Sequence, residues 1–205
     1  MALIIRPADI IKAKVIDFLI EKFDGVVIGD EVKYGSSRKV VDLLALYGGE
    51  TYAIEIKSSK DDLRRLPEQL SEYSKIFDHT LVFATIEHKS KIKEVAESKV
   101  SLFELCADDR IEGTLLRKRN NVLKNEMLAT MNSSYIRKRL NISRFKDSDD
   151  IRKKAMRCKK EVIHSLLYEY FMGKCSAPYK LFTKERVNKT EIDDLIILSN
   201  RLNVE

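Results

Sequence analysis

Apolar and polar residues recur with two different periods along this chain, and the change of period organises it. Between residues 7 and 23, Ile10, Ile11, Val15, Phe18 and Leu19 repeat at helical spacing behind Pro7, a residue suited to a first helical turn. An amphipathic helix is predicted there. After Asp24-Gly25 the period shortens, and segments 26–32, 40–47 and 51–56 read as three consecutive strands joined by short turns, with Gly48-Gly49 closing a tight hairpin. Ser58 to Asp62 then supplies capping residues for a helix that carries Leu63, Leu66, Leu70, Tyr73, Ile76 and Phe77, with Pro67 at its first turn or as a break. Segment 80–84 predicts a buried strand, 89–98 a helix and 100–105 a further strand.

The resulting order, α-βββ-α-β-α-β, predicts an α/β fold: a central mixed sheet flanked by helices, with parallel pairing in its later part. Beyond residue 110 the strand signal fades. Residues 112–121 suit a small hairpin or an extended segment, and helices are expected over 122–131, 134–140, 149–172 and 190–202. Gly173 suits the end of the long helix, and Thr190-Glu-Ile-Asp193 resembles a capping box. The expected organisation is a core over 1–110 and a basic, mainly helical region over 111–205, with 146–150 the best candidate linker.

Composition narrows the class. The chain has 205 residues, 44% of them hydrophobic, enough for one well-cored domain with an appendage. No run approaches the roughly 18 consecutive apolar residues of a membrane span, and the apolar start, residues 1–5, is broken too early by Arg6-Pro7 for a signal peptide. A cytoplasmic, non-membrane protein is expected. Cys106, Cys158 and Cys175 are scattered, without a C-x-x-C pair, and read as reduced thiols. His79, His88 and His164 lack zinc spacing. The net charge of +6 is unevenly spread: residues 1–110 hold 17 Lys/Arg against 20 Asp/Glu, and residues 111–205 hold 21 against 12. Clustered cations grip a polyanion by counterion release, although a solvated helical face has the same composition.

The candidate chemistry lies at Glu55-Ile56-Lys57. On a strand Glu55 and Lys57 project from one face while Ile56 points to the other, and the preceding hairpin carries Asp42 toward Glu55. Two acids and a lysine converge. Carboxylate oxygens suit a hard cation such as Mg²⁺ or Mn²⁺, and a lysine beside them can orient a water or offset phosphate charge, so phosphodiester hydrolysis is the natural reaction. The tripeptide alone decides nothing, since Glu31-Val-Lys33, Glu87-His-Lys89 and Glu97-Ser-Lys99 repeat the pattern.

Asp42, the twelve residues after it, Glu55-Ile56-Lys57 and the following helix together resemble the core of the PD-(D/E)XK nuclease superfamily, with Val41 in place of its usual proline. The longer string 55–69, continuing to Tyr73, Phe77-Asp78 and the 81–83 strand, is similar to the sce7726 family of bacterial and phage proteins placed with those nucleases. The resemblance implies a restriction-endonuclease-like core. It also implies Asp42 and Glu55 as ligands of Mg²⁺ or Mn²⁺, the Ile56 carbonyl as a further ligand, and Lys57 as the catalytic lysine. Glu31 matches an acidic position on the first strand and Gln69 a polar helix position facing the site; as plain residues they equally fit a turn-flanking charge and a solvated helix side chain. The expected activity is that of a metal-dependent nuclease, an endonuclease on DNA, and a homodimer is compatible with the resemblance. The alternative is a non-catalytic module that binds nucleic acid or a partner on the same scaffold.

Overall fold

The computed structural model of the protein describes residues 6–199 other than 97 and 109. The apolar run 1–5, Glu97 and the end of the helix expected over 190–202 lie outside the described residues. Helix α1 (Pro7–Lys22) starts where expected, and the Asp9 carboxylate closes its first turn by accepting from the Arg6 backbone N–H at 3.2 Å and from its guanidinium at 2.7 and 3.0 Å. Its buried stripe runs through Ile11, Lys12, Val15, Ile16 and Leu19. Ile10, expected on that stripe, lies one step outside it and is exposed.

Six strands follow in chain order across one sheet: β1 (Val27–Tyr34), β2 (Lys39–Tyr47), β3 (Glu50–Lys57), β4 (His79–Thr85), β5 (Val100–Leu105) and β6 (Ile111–Gly113). Pairing is antiparallel from β1 to β3, parallel from β3 through β4 to β5, and antiparallel again at β6. Helices α2 (Leu66–Ile76) and α3 (Lys89–Val95) make the two crossovers. The β2–β3 turn needs left-handed backbone at both central positions, and Gly48 and Gly49 supply it with φ of 59° and 80°. The mixed, helix-flanked sheet agrees with the expected α/β class.

The later helices are α4 (Lys124–Thr130), α5 (Ser133–Arg139), α6 (Ser148–Ala155), α7 (Lys160–Glu185) and α8 (Asp194–Leu198). Several expected boundaries move, each for a local reason. The helix after β3 starts at Leu66 rather than at Leu63, behind a turn in which the Asp61 carboxylate takes both the Ser58 N–H at 2.7 Å and its hydroxyl at 2.6 Å. The helix expected over 149–172 is two: α6 closes as the Arg157 and Cys158 N–H groups bond back to Lys154 and Ala155, and α7 starts afresh. Gly173 ends nothing, since α7 continues through it and through Pro178, with Phe171, Cys175 and Phe182 buried on either side. Asp147, inside the expected linker, caps α6 by accepting from the Asp149 and Asp150 N–H groups. Thr190 does not open a helix either; its N–H and hydroxyl bind Asp17 of α1, and α8 begins at Asp194.

Two apolar layers sandwich the sheet. One holds Leu44, Leu46, Ala53 and Val82 against Leu70, Tyr73 and Phe77 of α2 and Met127, Ile163 and Phe171 of the later helices. The other holds Leu43, Ala45, Ile54, Ile56, Phe83 and Phe103 against Ile11, Val15 and Leu19 of α1, with Phe182 and Leu198. Along β3 the alternation is regular. In β1 and β2 it slips by one residue: Ile28 faces the α1 layer but Val32 and Tyr34 face the other, and Leu43 faces the α1 layer while Val41 joins Leu44 on the opposite side. The slip falls at Glu31 and Asp42, which lie between the register pairs Asp30↔Leu43 and Val32↔Val41. Glu31 absorbs it with a left-handed φ of 52°, a conformation that costs a non-glycine residue on the order of 1 kcal/mol or more.

Candidate active site

The β2–β3 ladder ends at the pair Leu43↔Ile54, one step short of Asp42 and Glu55. There the Asp42 side chain replaces backbone pairing: its Oδ2 accepts the Ile56 N–H at 2.8 Å. The two strands part at the point where their acids stand side by side, and Glu31 on β1 extends the row across a third strand. Glu55 and Lys57 share a face of β3, as alternation requires, and the Lys57 ammonium donates to Glu55 Oε1 at 2.7 Å.

Helix α2 completes the arrangement around Glu55. Gln69 Nε2 donates to Glu55 Oε1 at 2.7 Å, Gln69 Oε1 accepts from Lys57 Nζ at 3.3 Å, and the Tyr73 hydroxyl donates to Glu55 Oε2 at 2.5 Å. Gln69 and Tyr73 are four residues apart and so meet the strand from one helix face. Tyr73 is fully buried, and burial followed by the charge of Glu55 holds its phenol well above the ordinary tyrosine value. It stays a donor.

Asp42 is held differently. Burial first, then the negative charge of Glu55, push its carboxyl up to about 7, against the opposing pull of the Ile56 N–H, Lys12 and Lys57. Its one hydrogen bond among the described residues is the one from Ile56. Two acids in one recess, one satisfied and one crowded, are the arrangement that a positive charge relieves.

All six residues expected at the site, Glu31, Asp42, Glu55, Ile56, Lys57 and Gln69, line a single cavity of about 430 Å³. The sequence pattern missed its opposite wall. That wall is α1, through Arg6, Asp9 and Lys12. Lys12 is buried, with its Nζ 2.5 Å from Asp30 Oδ1 and 3.9 Å from Glu31 Oε1, so it pins the slipped segment of β1 to the helix. A lysine set among Ile11, Val15 and Ile16 on a buried stripe is itself the signal that could have found it, since a buried ammonium demands a partner. The sequence pattern places Tyr73 on the apolar face of the helix after β3 and gives it no role at the site. Arg65 lines the cavity from the 58–65 turn, as does Asp62, with which Arg64 pairs without lining the cavity itself. Among the described residues no group of three or more His, Cys, Asp or Glu side chains is disposed to hold a metal ion by itself. Glu31 therefore borders the pair Asp42 and Glu55 without forming a three-acid cage.

A sequence model described as bacteriophage P4 protein cII matches residues 5–199. The chain belongs to that family. The phage cII family match thus spans the site and the later helices alike. No curated protein matches the chain. Among solved structures, the chain is similar to SPO1766, a protein of unknown function from Silicibacter pomeroyi, at 19% identity over 68% of this chain and 92% of that one, with a TM-score of 0.45. It is also similar to SfsA of Pyrococcus furiosus, solved in complex with Ca²⁺, at 14% identity over 53% of this chain and 60% of that one, with a TM-score of 0.31. Among the described residues of this phage cII family member, no helix is long and apolar enough to cross a membrane.

Proposed function

We propose that this member of the phage cII family is a metal-dependent nuclease of the PD-(D/E)XK type that hydrolyses phosphodiester bonds in DNA. One observation carries the proposal: Asp42 and Glu55 stand side by side where β2 and β3 part, in one cavity with Lys57 and Gln69 bonded to Glu55. A structural ion pair has no need of a second, crowded carboxylate.

The donor set suits Mg²⁺ or Mn²⁺. Such a cation takes one or two protein carboxylates and keeps several waters, so a pair of acids suffices where a closed cage is absent. Asp42, whose carboxyl is raised by burial and by Glu55, is the residue that gains most from a neighbouring positive charge. Asp42 and Glu55 would hold the ion, with the Ile56 carbonyl as a further ligand and Glu31 at the rim. When bound, the ion supplies charge stabilisation at the phosphate and an acidified water.

The protein's own groups do the rest. Lys57 presents an ammonium anchored by Glu55 and Gln69, placed to orient a water and to offset charge building on the phosphate oxygens. Gln69 and Tyr73 fix the Glu55 carboxylate in one orientation, and Lys12 holds the α1 wall against β1. The test is incubation of the purified protein with plasmid, linear and branched DNA in Mg²⁺ or Mn²⁺, beside Lys57→Ala and Asp42→Asn. Cleavage by the wild type alone is expected; equal activity in all three would sink the proposal.

A further inference from the structure

The excess positive charge of the second half is concentrated. Residues 133–160 hold eleven Lys/Arg against three Asp/Glu, and in their midst, between α5 and α6, Phe145 is 41% exposed. A large aromatic ring left this exposed amid cations offers an apolar face to a ligand. The Arg137 guanidinium lies over this ring at 5.4 Å from its centroid.

The loop that carries Phe145 is tied on both sides. Lys154 Nζ donates to the Arg144 carbonyl, and the Lys146 N–H donates to Asp150 Oδ2 at 3.1 Å, while Asp147 caps the following helix. Arg144 and Lys146 thus flank a presented ring whose position is set before any ligand arrives, which lowers the ordering cost of binding.

The helices that lead to this surface also touch the hairpin that carries Glu31 and Asp42. The β1–β2 turn touches the α4–α5 junction, with the Gly35 N–H on Thr130 Oγ1 at 3.1 Å and the Arg38 guanidinium on Asn132 Oδ1 at 2.5 Å. Glu31 and Asp42 each stand four residues back from that turn, or about 13 Å at about 3.3 Å per strand residue.

We infer that the Phe145 loop is a binding site for single-stranded nucleic acid, in which an unpaired base stacks on Phe145 while Arg137, Arg144 and Lys146 hold the neighbouring phosphates. A duplex offers phosphates to such cations, but its bases are already stacked on one another. Only an unpaired base has a free face for the ring. The inference rests on the proposed nuclease activity in that it supplies the strand-holding surface for the same cavity.

The test is fluorescence anisotropy of a labelled oligothymidylate, its abasic counterpart and a duplex, with the full chain in EDTA. The oligothymidylate is expected to bind the wild type about fivefold or more tightly than it binds Phe145→Ala, the scale of one stacked base. The abasic strand should bind the wild type as weakly as the oligothymidylate binds Phe145→Ala, and Phe145→Trp should retain affinity. In R144A/K146A the slope of log K against log salt should fall by about 1.4, at about 0.7 per phosphate of a single strand. The position is exposed, so unchanged unfolding midpoints certify the variants. Equal affinity for the oligothymidylate and the abasic strand, or preference for the duplex, overturns the inference. No hydrolysis occurs in EDTA. A protein inert in Mg²⁺ that still binds through Phe145 defeats the nuclease proposal alone, and a nuclease whose strand binding ignores Phe145 defeats this one alone.

Discussion

Two acids of the same sheet, Asp42 and Asp78, receive opposite treatment. Asp78, at the entry to β4, has a carboxylate that accepts from the Thr51 N–H at 2.9 Å, the Thr51 hydroxyl at 3.0 Å and His164 Nε2 at 2.8 Å. Burial pulls its carboxyl up, but the bonds from His164 and Thr51 outweigh that, and it ends below its ordinary value. Asp42 has one backbone donor and a second acid beside it, and ends up raised to about 7. The first arrangement stabilises the folded chain by satisfying its charge. The second leaves a charge partly unmet in a cavity, as the proposed metal site requires.

The sharpest way to break this contrast is through turnover. Lys57→Ala and Asp42→Asn are expected to lower DNA cleavage by about 10²-fold or more, the scale of a lost catalytic group, while leaving the fold intact. Gel assays on plasmid decide it, and cleavage unchanged in Asp42→Asn would make Asp42 a structural acid like Asp78. The reverse experiment is Asp78→Ala, which strands the Thr51 and His164 donors in a buried position. It should destabilise the chain by roughly 3 kcal/mol or more in denaturant unfolding, since each buried unsatisfied group costs about 1–3 kcal/mol. A midpoint within error of the wild type would show Asp78 to be dispensable.

The two acids also predict opposite pH slopes. A lowered folded-state value stabilises above the unfolded value of about 3.9, and that contribution fades as pH falls through the folded value, so Asp78 weakens the fold on the acid side. Asp42 is raised, so between about pH 4 and 7 the native state binds the extra proton and stability falls as pH rises. Asp42→Asn should therefore stabilise the metal-free protein at pH 8, by roughly 2–4 kcal/mol at most, and change little at pH 4. A variant equally stable at both pH values would contradict the crowding described at the cavity. The smallest expected effect is that of the ion itself. Mn²⁺ at about 10 times its Kd should stabilise the wild type by about 1.4 kcal/mol and leave Asp42→Asn unmoved in thermal melts, and EDTA should reverse it.

Much of this contrast was readable from residue order, and the limit has a physical basis. Strands β1 to β5 and helices α1 and α2 follow local periodicity, so the hairpin that brings Asp42 beside Glu55 could be anticipated from Gly48-Gly49 and the alternation in β3. The partner of the α1 lysine could not. Lys12 reaches Asp30, eighteen positions along the chain, a pairing that only tertiary packing creates. The same holds for Gly173 and Pro178, whose local preference to end a helix is overridden by the burial of Phe171, Cys175 and Phe182 around them. The slip at Glu31 and Asp42 is invisible to a pattern of strict alternation, because it is a departure from it.

That long helix bears on assembly. At 26 residues α7 is about 39 Å long, and it packs against β1, an outer strand of the sheet. Near its start Ile163 joins one apolar layer, and near its end Phe182 joins the other, so α7 runs along the flank of the sheet like a beam clamped on both faces. An exposed strand edge invites another chain to add to it, and here that side is guarded. Two copies joining their sheets into one would have to meet at the opposite border, where β6 offers only three residues.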